Sequence, residues 1–295
     1  MASTEHPDPR YADIDCWPTE QAVEAMLEGH LAAVAALRTQ SDAIAQAVIA
    51  AADRLKLGGR LVYAGAGTSG RVAVQDGVEL GPTFGWSAER LLYLMAGGMS
   101  ALAASAEGAE DDAITARTAV EANGISADDV AIGVAASGCT PFTIAVIEAA
   151  RSAGALTIAI ANNADTPLLN AAEHAILADT GSEVIAGSTR MQAGTAQKVV
   201  LNTLSTAIML RLGRVYRGLM VDMVISNDKL LARAHTIVQQ LSGCSAQTAV
   251  AAVEAGGRNI KAAVLIAKGL SPDGAQVLLA AHGGILRDAI GALVK

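Results

Sequence analysis

Short aliphatic runs alternate with longer helix-forming stretches through the middle of the 295-residue chain, and this alternation restricts the fold most. Short Val, Ile, Leu and Ala runs bounded by glycine are typical of buried strands. Strands that alternate with helices form a parallel sheet with helices on both faces. We therefore predict an α/β fold of three layers with a five-stranded parallel sheet. The predicted strands are residues 60–64, 91–96, 130–135, 156–161 and 175–177.

Proline and glycine residues divide the rest of the chain. Residues 1–18 contain three prolines, and we expect them to form an extended arm. Thr19 is a candidate N-cap for an Ala-rich helical region that reaches residue 57, with a break near Ser41. Further helices are predicted at residues 69–80, which Gly81-Pro82 end, at 99–122, from Pro141 to Ala153, and at 191–212.

No strand pattern appears after about residue 225, where only helical patterns remain. Small residues and proline separate these patterns at Ser242-Gly243, Gly256-Gly257, Ser271-Pro272 and Gly283-Gly284. We predict three parts of the chain. They are an N-terminal arm with helices that pack on the core (1–57), the ligand-binding α/β domain (58–225) and a C-terminal helical subdomain (226–295).

Charge and composition exclude several classes of protein. The formal net charge is −8, whereas nucleic-acid binding needs clustered Lys and Arg, so no nucleic-acid partner is expected. No apolar stretch reaches the ~18 residues of a membrane helix, and the polar N-terminus does not resemble a signal peptide. The three cysteines are widely separated, and the five histidines form no metal-binding pattern. We expect a cytoplasmic protein without a membrane partner, metal or cofactor.

Two glycine- and hydroxyl-rich loops lie between a predicted strand and the helix that follows it. The first is Gly65-Ala66-Gly67-Thr68-Ser69-Gly70, and the second is Ser137-Gly138-Cys139-Thr140-Pro141. In a parallel sheet, ligands bind beyond the carboxyl ends of the strands, where helix N-termini present unpaired N–H groups. A single loop of this kind is most often an N-cap. Two on one sheet indicate a phosphate-binding cradle.

The first loop also fits the dinucleotide pattern G-x-G-x-x-G, which expects an acidic residue at the end of the next strand. Here that strand ends in Met95-Ala96-Gly97-Gly98, which disfavours this alternative. A third hydroxyl-rich segment is Gly187-Ser188-Thr189-Arg190. Its Arg190 either binds a ligand anion or pairs with a surface carboxylate. The candidate ligand-binding residues are Gly67, Thr68, Ser69, Ser137, Gly138, Thr140, Ser188, Thr189 and Arg190.

The order of these motifs resembles one family. GAGTSGR and ASGxTP together resemble the sugar isomerase domain, a flavodoxin-like fold that binds phosphosugars. Five further segments make the chain similar to the N-acetylmuramic acid 6-phosphate etherases, relatives of the glucokinase regulatory protein. These segments are PTFG at 82–85, EGAED at 107–111, EVIAGSTR at 183–190, AGTAQKVVLN at 193–202 and LMVDMVISNDKL at 219–230.

The resemblance implies an activity, an assembly and two catalytic residues. The family cleaves the lactyl ether of a phosphorylated amino sugar, N-acetylmuramic acid 6-phosphate, without metal or cofactor, and forms homodimers. Its acid matches Glu79, three residues before PTFG, and its base at C2 matches Glu110 in EGAED. Glu107, one helical turn earlier, is an alternative to Glu110.

The chain departs from the family pattern where basic residues are expected. Gln192, Cys139 and Pro7-Asp8 replace residues that are basic or include an arginine in the family, and Val78 replaces a serine beside Glu79. These changes bear on the part of the substrate that carries the lactyl carboxylate. Two other functions therefore stay open, a non-catalytic phosphosugar-binding regulator and an aldose–ketose phosphosugar isomerase.

Overall fold

A computed structural model of the chain describes residues 3–104 and 106–293. It contains a five-stranded parallel sheet with the strand order β2-β1-β3-β4-β5. The strands are β1 Leu61–Gly65, β2 Leu91–Met95, β3 Val130–Ala135, β4 Leu156–Ala161 and β5 His174–Leu177. This order is the flavodoxin-like one, and the predicted α/β fold is confirmed.

Helices flank the sheet and make up most of the chain after it. They are α1 Thr19–Ala36, α2 Ser41–Leu55, α3 Gly67–Phe84, α4 Ala113–Ala122, α5 Pro141–Ser152, α6 Pro167–Ala171, α7 Gln192–Arg211, α8 Asp228–Ser242, α9 Ala246–Ala255, α10 Ile260–Ala267, α11 Pro272–Ala281 and α12 Leu286–Leu293. A short antiparallel pair, β6 Val215–Tyr216 and β7 Leu219–Met220, was not predicted. None of the helices described here is both long and apolar enough to cross a bilayer.

The chain forms two compact units. The first consists of the residues up to Val78 together with Glu89–Ala207, and the second of Glu79–Ala88 together with the chain from Ile208 onward. The last turns of α3, which carry Glu79, therefore belong to the second unit. The domain boundaries predicted at 57/58 and 225/226 stay predictions.

The sheet of the first unit is buried between helices. One face packs against α4, α5 and α6 through a core that includes Val62, Ala64 and Val146. Leu61 and Tyr63 alternate with these residues along β1 and face the opposite side, where α2 and α3 lie. The central strands β1, β3 and β4 are completely buried, which explains their continuous apolar sequences.

A buried carboxylate fixes α3 and α7 to the sheet. The Tyr63 hydroxyl donates to Asp76 Oδ2 at 3.0 Å, and the Ser205 hydroxyl donates to Asp76 Oδ1 at 3.2 Å. Burial raises the pKa of Asp76, and these hydrogen bonds oppose that effect. Because Asp76 lies on α3, this network holds the helix that begins at the first glycine-rich loop.

The N-terminal segment differs from the expected extended arm. Three short 3-10 helices occupy it, at Ser3–Glu5, Pro9–Tyr11 and Ile14–Cys16. Proline favours such turns because its fixed φ suits their first position. The prediction of Thr19 as an N-cap was wrong, since Thr19 is already the first residue of α1 and Pro18 occupies the cap. The break at Ser41 is confirmed by a 3-10 turn between α1 and α2.

Helix α3 does not end at Gly81-Pro82, as the sequence indicated, but continues to Phe84. Proline removes one backbone donor from a helix, yet here it lies in the last turns, where few hydrogen bonds follow it. Gly85 N donates to Gly81 O at 2.9 Å, and Val224 N donates to Pro82 O at 3.1 Å. These bonds satisfy carbonyl groups at the end of the helix and compensate for the N–H group that Pro82 lacks.

The continuous helix predicted at 99–122 is also wrong. This segment contains 3-10 turns at Met99–Leu102 and Ala109–Asp111, and α4 begins only at Ala113. Gly108 has a φ of 71°, which no α-helix accommodates, and the Asp112 carboxylate caps α4 by accepting from Thr115 N. Glu107 and Glu110 thus lie on an irregular segment before α4.

An ion pair joins the starts of β1 and β3. The Asp129 carboxylate accepts four hydrogen bonds, three from Arg60 (backbone N, Nε and Nη2) and one from Ser126 N, at 2.8–3.0 Å. Burial alone would raise the pKa of Asp129, but these donors outweigh burial and lower it. The side chain of Asp129 is only 3% exposed, so solvent screens the pair weakly.

Asp129→Asn should destabilise the first unit by about 1–3 kcal/mol at neutral pH. Because the pKa of Asp129 is lowered on folding, its contribution is complete above the unfolded pKa of about 3.9 and is lost as the pH falls through the folded pKa. Urea unfolding from pH 7 to pH 3 should show wild type and variant converging in acid. Asp53→Asn, which removes an exposed pair with Lys56, should change stability by less than about 0.5 kcal/mol. Equal effects of both substitutions would contradict this prediction.

Candidate active site

The two glycine-rich loops lie side by side because the strands before them are neighbours. β1 pairs with β3 in parallel register, with Gly65 opposite Val134. Chain connections diverge from β1 and β3 to opposite sides of the sheet, so a crevice opens beyond their carboxyl ends. The sequence prediction that both loops face one site is consistent with this topology.

The first loop is compact because glycine allows close backbone contacts. A Cβ atom on Gly70 would lie 2.8 Å from Gly65 O, and one on Gly65 would lie 2.9 Å from Gly70 N. Gly67 has a φ of 51° and is the first residue of α3. The loop therefore brings the N-terminus of α3 directly to the end of β1, with Thr68 and Ser69 in the first helical turn.

In the second loop, glycine also allows a close contact just before the start of α5. Gly138 has a φ of 66°, and a Cβ atom there would lie 2.3 Å from Thr166 Oγ1. Ser137 Oγ accepts a hydrogen bond from Cys139 N at 3.1 Å, which leaves its own hydrogen available to a ligand. Thr140 occupies the N-cap of α5, but its side chain makes no capping hydrogen bond. This helix N-terminus therefore remains available to an anion.

A cavity of about 330 Å³ lies between these loops. It is lined by Glu5, Ala66, Gly67, Thr68, Ser69, Glu110, Asp111, Ala136, Ser137, Cys139, Thr140, Pro141 and Thr189. Seven of the predicted site residues are among them, namely Gly67, Thr68, Ser69, Glu110, Ser137, Thr140 and Thr189. No lysine or arginine is among the described residues that line it. A phosphate group here would be held by hydroxyls and backbone N–H groups.

Glu110 and its alternative Glu107 have different positions. Glu110 lines the large cavity and also an adjoining one of about 190 Å³, whereas Glu107 lines only the smaller one. The smaller cavity also contains Arg71, whose Nε donates to the carbonyls of Ala101 and Leu102. Of the two glutamates, Glu110 therefore lies beside the hydroxyl-rich loops, which favours it as the base.

The third hydroxyl-rich segment contributes through Thr189, while Arg190 is exposed on the loop. The N-terminus of α7 that follows is already occupied by a protein carboxylate. Glu183 is fully buried and accepts from Gln192 N and Ala193 N, both at 2.9 Å. Burial raises the pKa of Glu183, and the two donors oppose this effect. The roles predicted for all of the candidate site residues stay predictions, and Gly138, Ser188 and Arg190 are not among those that line the cavity.

Glu79 lies in the second unit, on an exposed position near the end of α3. Its neighbour Leu80 is buried, at 2% exposure, whereas Val78 is exposed. Within the second unit the turn after Glu79 is held by Arg214, which donates to Phe84 O and Gly85 O at 3.3 and 3.4 Å. The Arg214 guanidinium also lies 5.6 Å from the centre of the Trp86 ring, within range of a cation–π contact.

A buried ion pair supports this arrangement. Lys261 is paired with Asp222, and Arg214 Nη1 lies 3.7 Å from the same carboxylate. Burial raises the pKa of Asp222 and lowers that of Lys261, and their mutual attraction opposes both shifts. Gly85 contacts Asp222 so closely that a Cβ atom would lie 2.5 Å from its carbonyl oxygen. The motif residues 82–85 and 219–223 therefore pack together and hold the turn that follows Glu79.

Sequence reasoning missed Glu5, which lines the cavity, and Asn163, which contacts Ser3 and Thr4 beside it. Both are positioned by contacts with residues distant in the chain, which no local spacing rule reveals. Among the described residues, no group of three or more His, Cys, Asp or Glu side chains is arranged to hold a metal ion.

Sequence comparisons find relatives that match nearly the whole chain. The N-acetylmuramic acid 6-phosphate etherase of Deinococcus radiodurans is 46% identical, over 98% of this chain and 95% of the relative. The etherases of Streptomyces coelicolor and Mycolicibacterium smegmatis are 44% and 42% identical over 98% of this chain, covering 94% and 97% of their own lengths.

Family profiles and solved structures agree with the fold. The profile of the glucokinase regulatory protein N-terminal SIS domain matches residues 43–151, and that of the SIS domain matches residues 112–207. A protein of Escherichia coli strain CFT073, solved as a ligand complex, superposes with a TM-score of 0.51 at 16% identity, over 68% of this chain and 96% of the other. A Bacteroides fragilis protein assigned as a phosphosugar isomerase involved in capsule formation gives 0.52 at 18% identity, over 68% and 95%.

Ser137→Ala should weaken binding of inorganic phosphate about 10- to 100-fold, because a hydrogen bond to a charged group contributes about 1.5–3 kcal/mol. Isothermal titration calorimetry measures this effect directly. Ser152→Ala is the matched control, since Ser152 lies at the other end of α5 and donates within its own helix to Glu148 O. Loss of affinity in both variants, or in neither, would show that the second loop does not bind the anion.

Proposed function

The chain belongs to the N-acetylmuramic acid 6-phosphate etherase family, with relatives 42–46% identical over 98% of its length, and we propose that the cavity beyond β1 and β3 is the active site of this lyase. The enzyme cleaves the D-lactyl ether of N-acetylmuramic acid 6-phosphate to N-acetylglucosamine 6-phosphate and D-lactate. The observation that supports the location is the joint presence of Ser69, Ser137 and Glu110 around one cavity.

The phosphate group occupies the cradle formed by the N-termini of α3 and α5. Backbone N–H groups and the hydroxyls of Ser69, Ser137 and Thr140 donate to its oxygens. The positive ends of the two helix dipoles add to this attraction. With the phosphate bound here, the sugar lies in the same cavity as Glu110.

The reaction needs one base and one acid. In the open-chain sugar, the C1 aldehyde acidifies the C2 proton, which Glu110 removes. The C3–O bond then breaks, and Glu79 donates a proton to the departing lactate oxygen. In the second half, Glu79 takes a proton from water as the water oxygen adds to C3, and Glu110 returns its proton to C2. The two carboxyl groups thus end in their starting states, as catalysis requires.

We propose that Glu79 is the acid and Glu110 the base, as the family resemblance implies. The well-packed turn at residues 82–85 supports a fixed position for Glu79, because Arg214 and Asp222 leave it little freedom. The family has basic residues at the positions of Gln192 and Cys139, and their loss affects contacts with the lactyl carboxylate. Cys139 lines the cavity, so its thiol occupies a place where the family has an arginine.

Incubation with N-acetylmuramic acid 6-phosphate should release D-lactate. Glu79→Gln and Glu110→Gln should each lower kcat about 100- to 10,000-fold, because each removes a proton-transfer group. Both variants should still bind N-acetylglucosamine 6-phosphate. Glu107→Gln is the control and should retain activity.

Two results would contradict the proposal. Lactate release that survives in Glu110→Gln but disappears in Glu107→Gln would exchange the roles of these residues. Sugar-phosphate binding without any lactate release by the wild type would favour a binding regulator or an isomerase.

We also propose a homodimer, because α1 carries an exposed apolar stripe. Val23, Leu27, Leu31 and Val34 are 48%, 59%, 72% and 38% exposed and recur at helical spacing on one face. An aliphatic stripe of this kind is typical of a helix that packs against another copy. A cytoplasmic location remains a prediction.

Leu31→Glu should convert the dimer to a monomer, because it places a charge in the centre of the apolar stripe. Sedimentation velocity measures the change in mass. Ile114→Glu on α4, where Ile114 is 81% exposed, is the matched control and should leave the dimer intact. A wild-type monomer, or an unchanged dimer in Leu31→Glu, would contradict the proposed interface.

A further inference from the structure

The first turn of the described chain is anchored to the carboxyl edge of the sheet. Ser3 N and Ser3 Oγ donate to Asn163 Oδ1 at 2.6 and 2.7 Å, and Asn163 Nδ2 donates to Thr4 Oγ1 at 3.1 Å. Asn163 follows β4 and also donates to Ala136 O at 2.8 Å, beside the second loop. Thr4 is completely buried. These contacts fix the position of the segment Ser3–Glu5 beside the second loop.

A second set of contacts positions Glu5 against the third hydroxyl-rich segment. Gly187 N donates to Thr4 O at 2.9 Å. Gly187 lies so close to the Glu5 carboxylate that a Cβ atom there would be 3.0 Å from Oε2. Glu5 is exposed, lies beside Gly187, and lines the cavity together with Ser69, Ser137 and Glu110.

Two kinds of group line the cavity and favour different parts of a ligand. Glu5, Glu110 and Asp111 contribute carboxylates, and the two loops contribute hydroxyls and the N-termini of α3 and α5. A carboxylate and a phosphate repel each other, by about 1 kcal/mol per unit charge at 4 Å even in water and more in a protein cleft. A phosphate is therefore favoured at the hydroxyls and helix N-termini, and the uncharged part of the sugar is favoured at the carboxylates.

We propose that Glu5 is a substrate-binding residue that accepts a hydrogen bond from a hydroxyl or amide hydrogen of the sugar. This role rests on the proposed phosphosugar site. Among the described residues no donor forms a hydrogen bond with the Glu5 carboxylate, so both of its oxygens are available to a ligand. The negative charge of Glu5 also repels the phosphate and so determines the orientation in which the substrate binds.

Glu5→Gln, tested with two ligands, separates the hydrogen bond to the sugar from the repulsion of the phosphate. It should weaken binding of N-acetylglucosamine 6-phosphate about 10- to 100-fold, because a charged acceptor is lost. Binding of inorganic phosphate should be unchanged or tighter, because a repulsive charge is removed. Isothermal titration calorimetry measures both affinities. Glu24→Gln, at an exposed position of α1, is the matched control and should change neither.

The outcomes distinguish a binding role from a structural one. If Glu5 only supports the fold, Glu5→Gln should weaken both probes equally and lower the urea midpoint, and either result would overturn the proposal. Unchanged binding of both probes would overturn it as well. A wild type that binds N-acetylglucosamine 6-phosphate but releases no lactate would refute the etherase activity and leave the Glu5 result valid. A wild type that binds neither probe would refute the phosphosugar site and the role of Glu5 together.

Discussion

Parallel pairing between β1 and β3 brings together two loops that are far apart in the sequence. Because Gly65 lies opposite Val134, the strands end at nearly the same level of the sheet. The helices that follow leave to opposite sides, so their N-termini converge on one crevice. A shift of one residue in this register would turn every side chain of β1 to the other face. The buried sequences of both strands prevent such a shift, and the geometry of the cavity depends on them.

The second unit has a role that its helical sequence does not suggest. Its core of α8 to α12 encloses the Asp222–Lys261 pair, and this pair holds Arg214 against the carbonyls that end α3. A buried ion pair contributes little net stability, but it is expensive to break and therefore fixes one arrangement. The unit thus holds the turn that follows Glu79. α3 begins at Gly67 in the first loop and carries Glu79 near its end, so one helix contributes to both parts of the proposed chemistry.

Much of the fold could be predicted because its signals are local. Strands buried on both faces are continuous apolar runs, and the bounds of β3 and β4 follow from them to the residue. The loops were found because glycine is required where backbones touch, as at Gly65 and Gly70. By contrast, α3 passes Pro82 because of a bond from Val224, far away in sequence. The places of Glu5 and Asn163 were not predicted for the same reason, since contacts with residues far away in sequence give them their positions.

The absence of lysine and arginine from the described lining of the cavity affects how fast a ligand arrives. Fixed dipoles of helices and hydroxyls attract an anion only at short range, whereas net charge acts over a Debye length. The chain carries a net charge of −8, and its proposed ligand is itself an anion. Encounter is therefore slowed by long-range repulsion, and added salt should speed association by screening it. A cleft lined by basic residues would draw a phosphate in from a distance, but here recognition begins only after the ligand has entered the crevice.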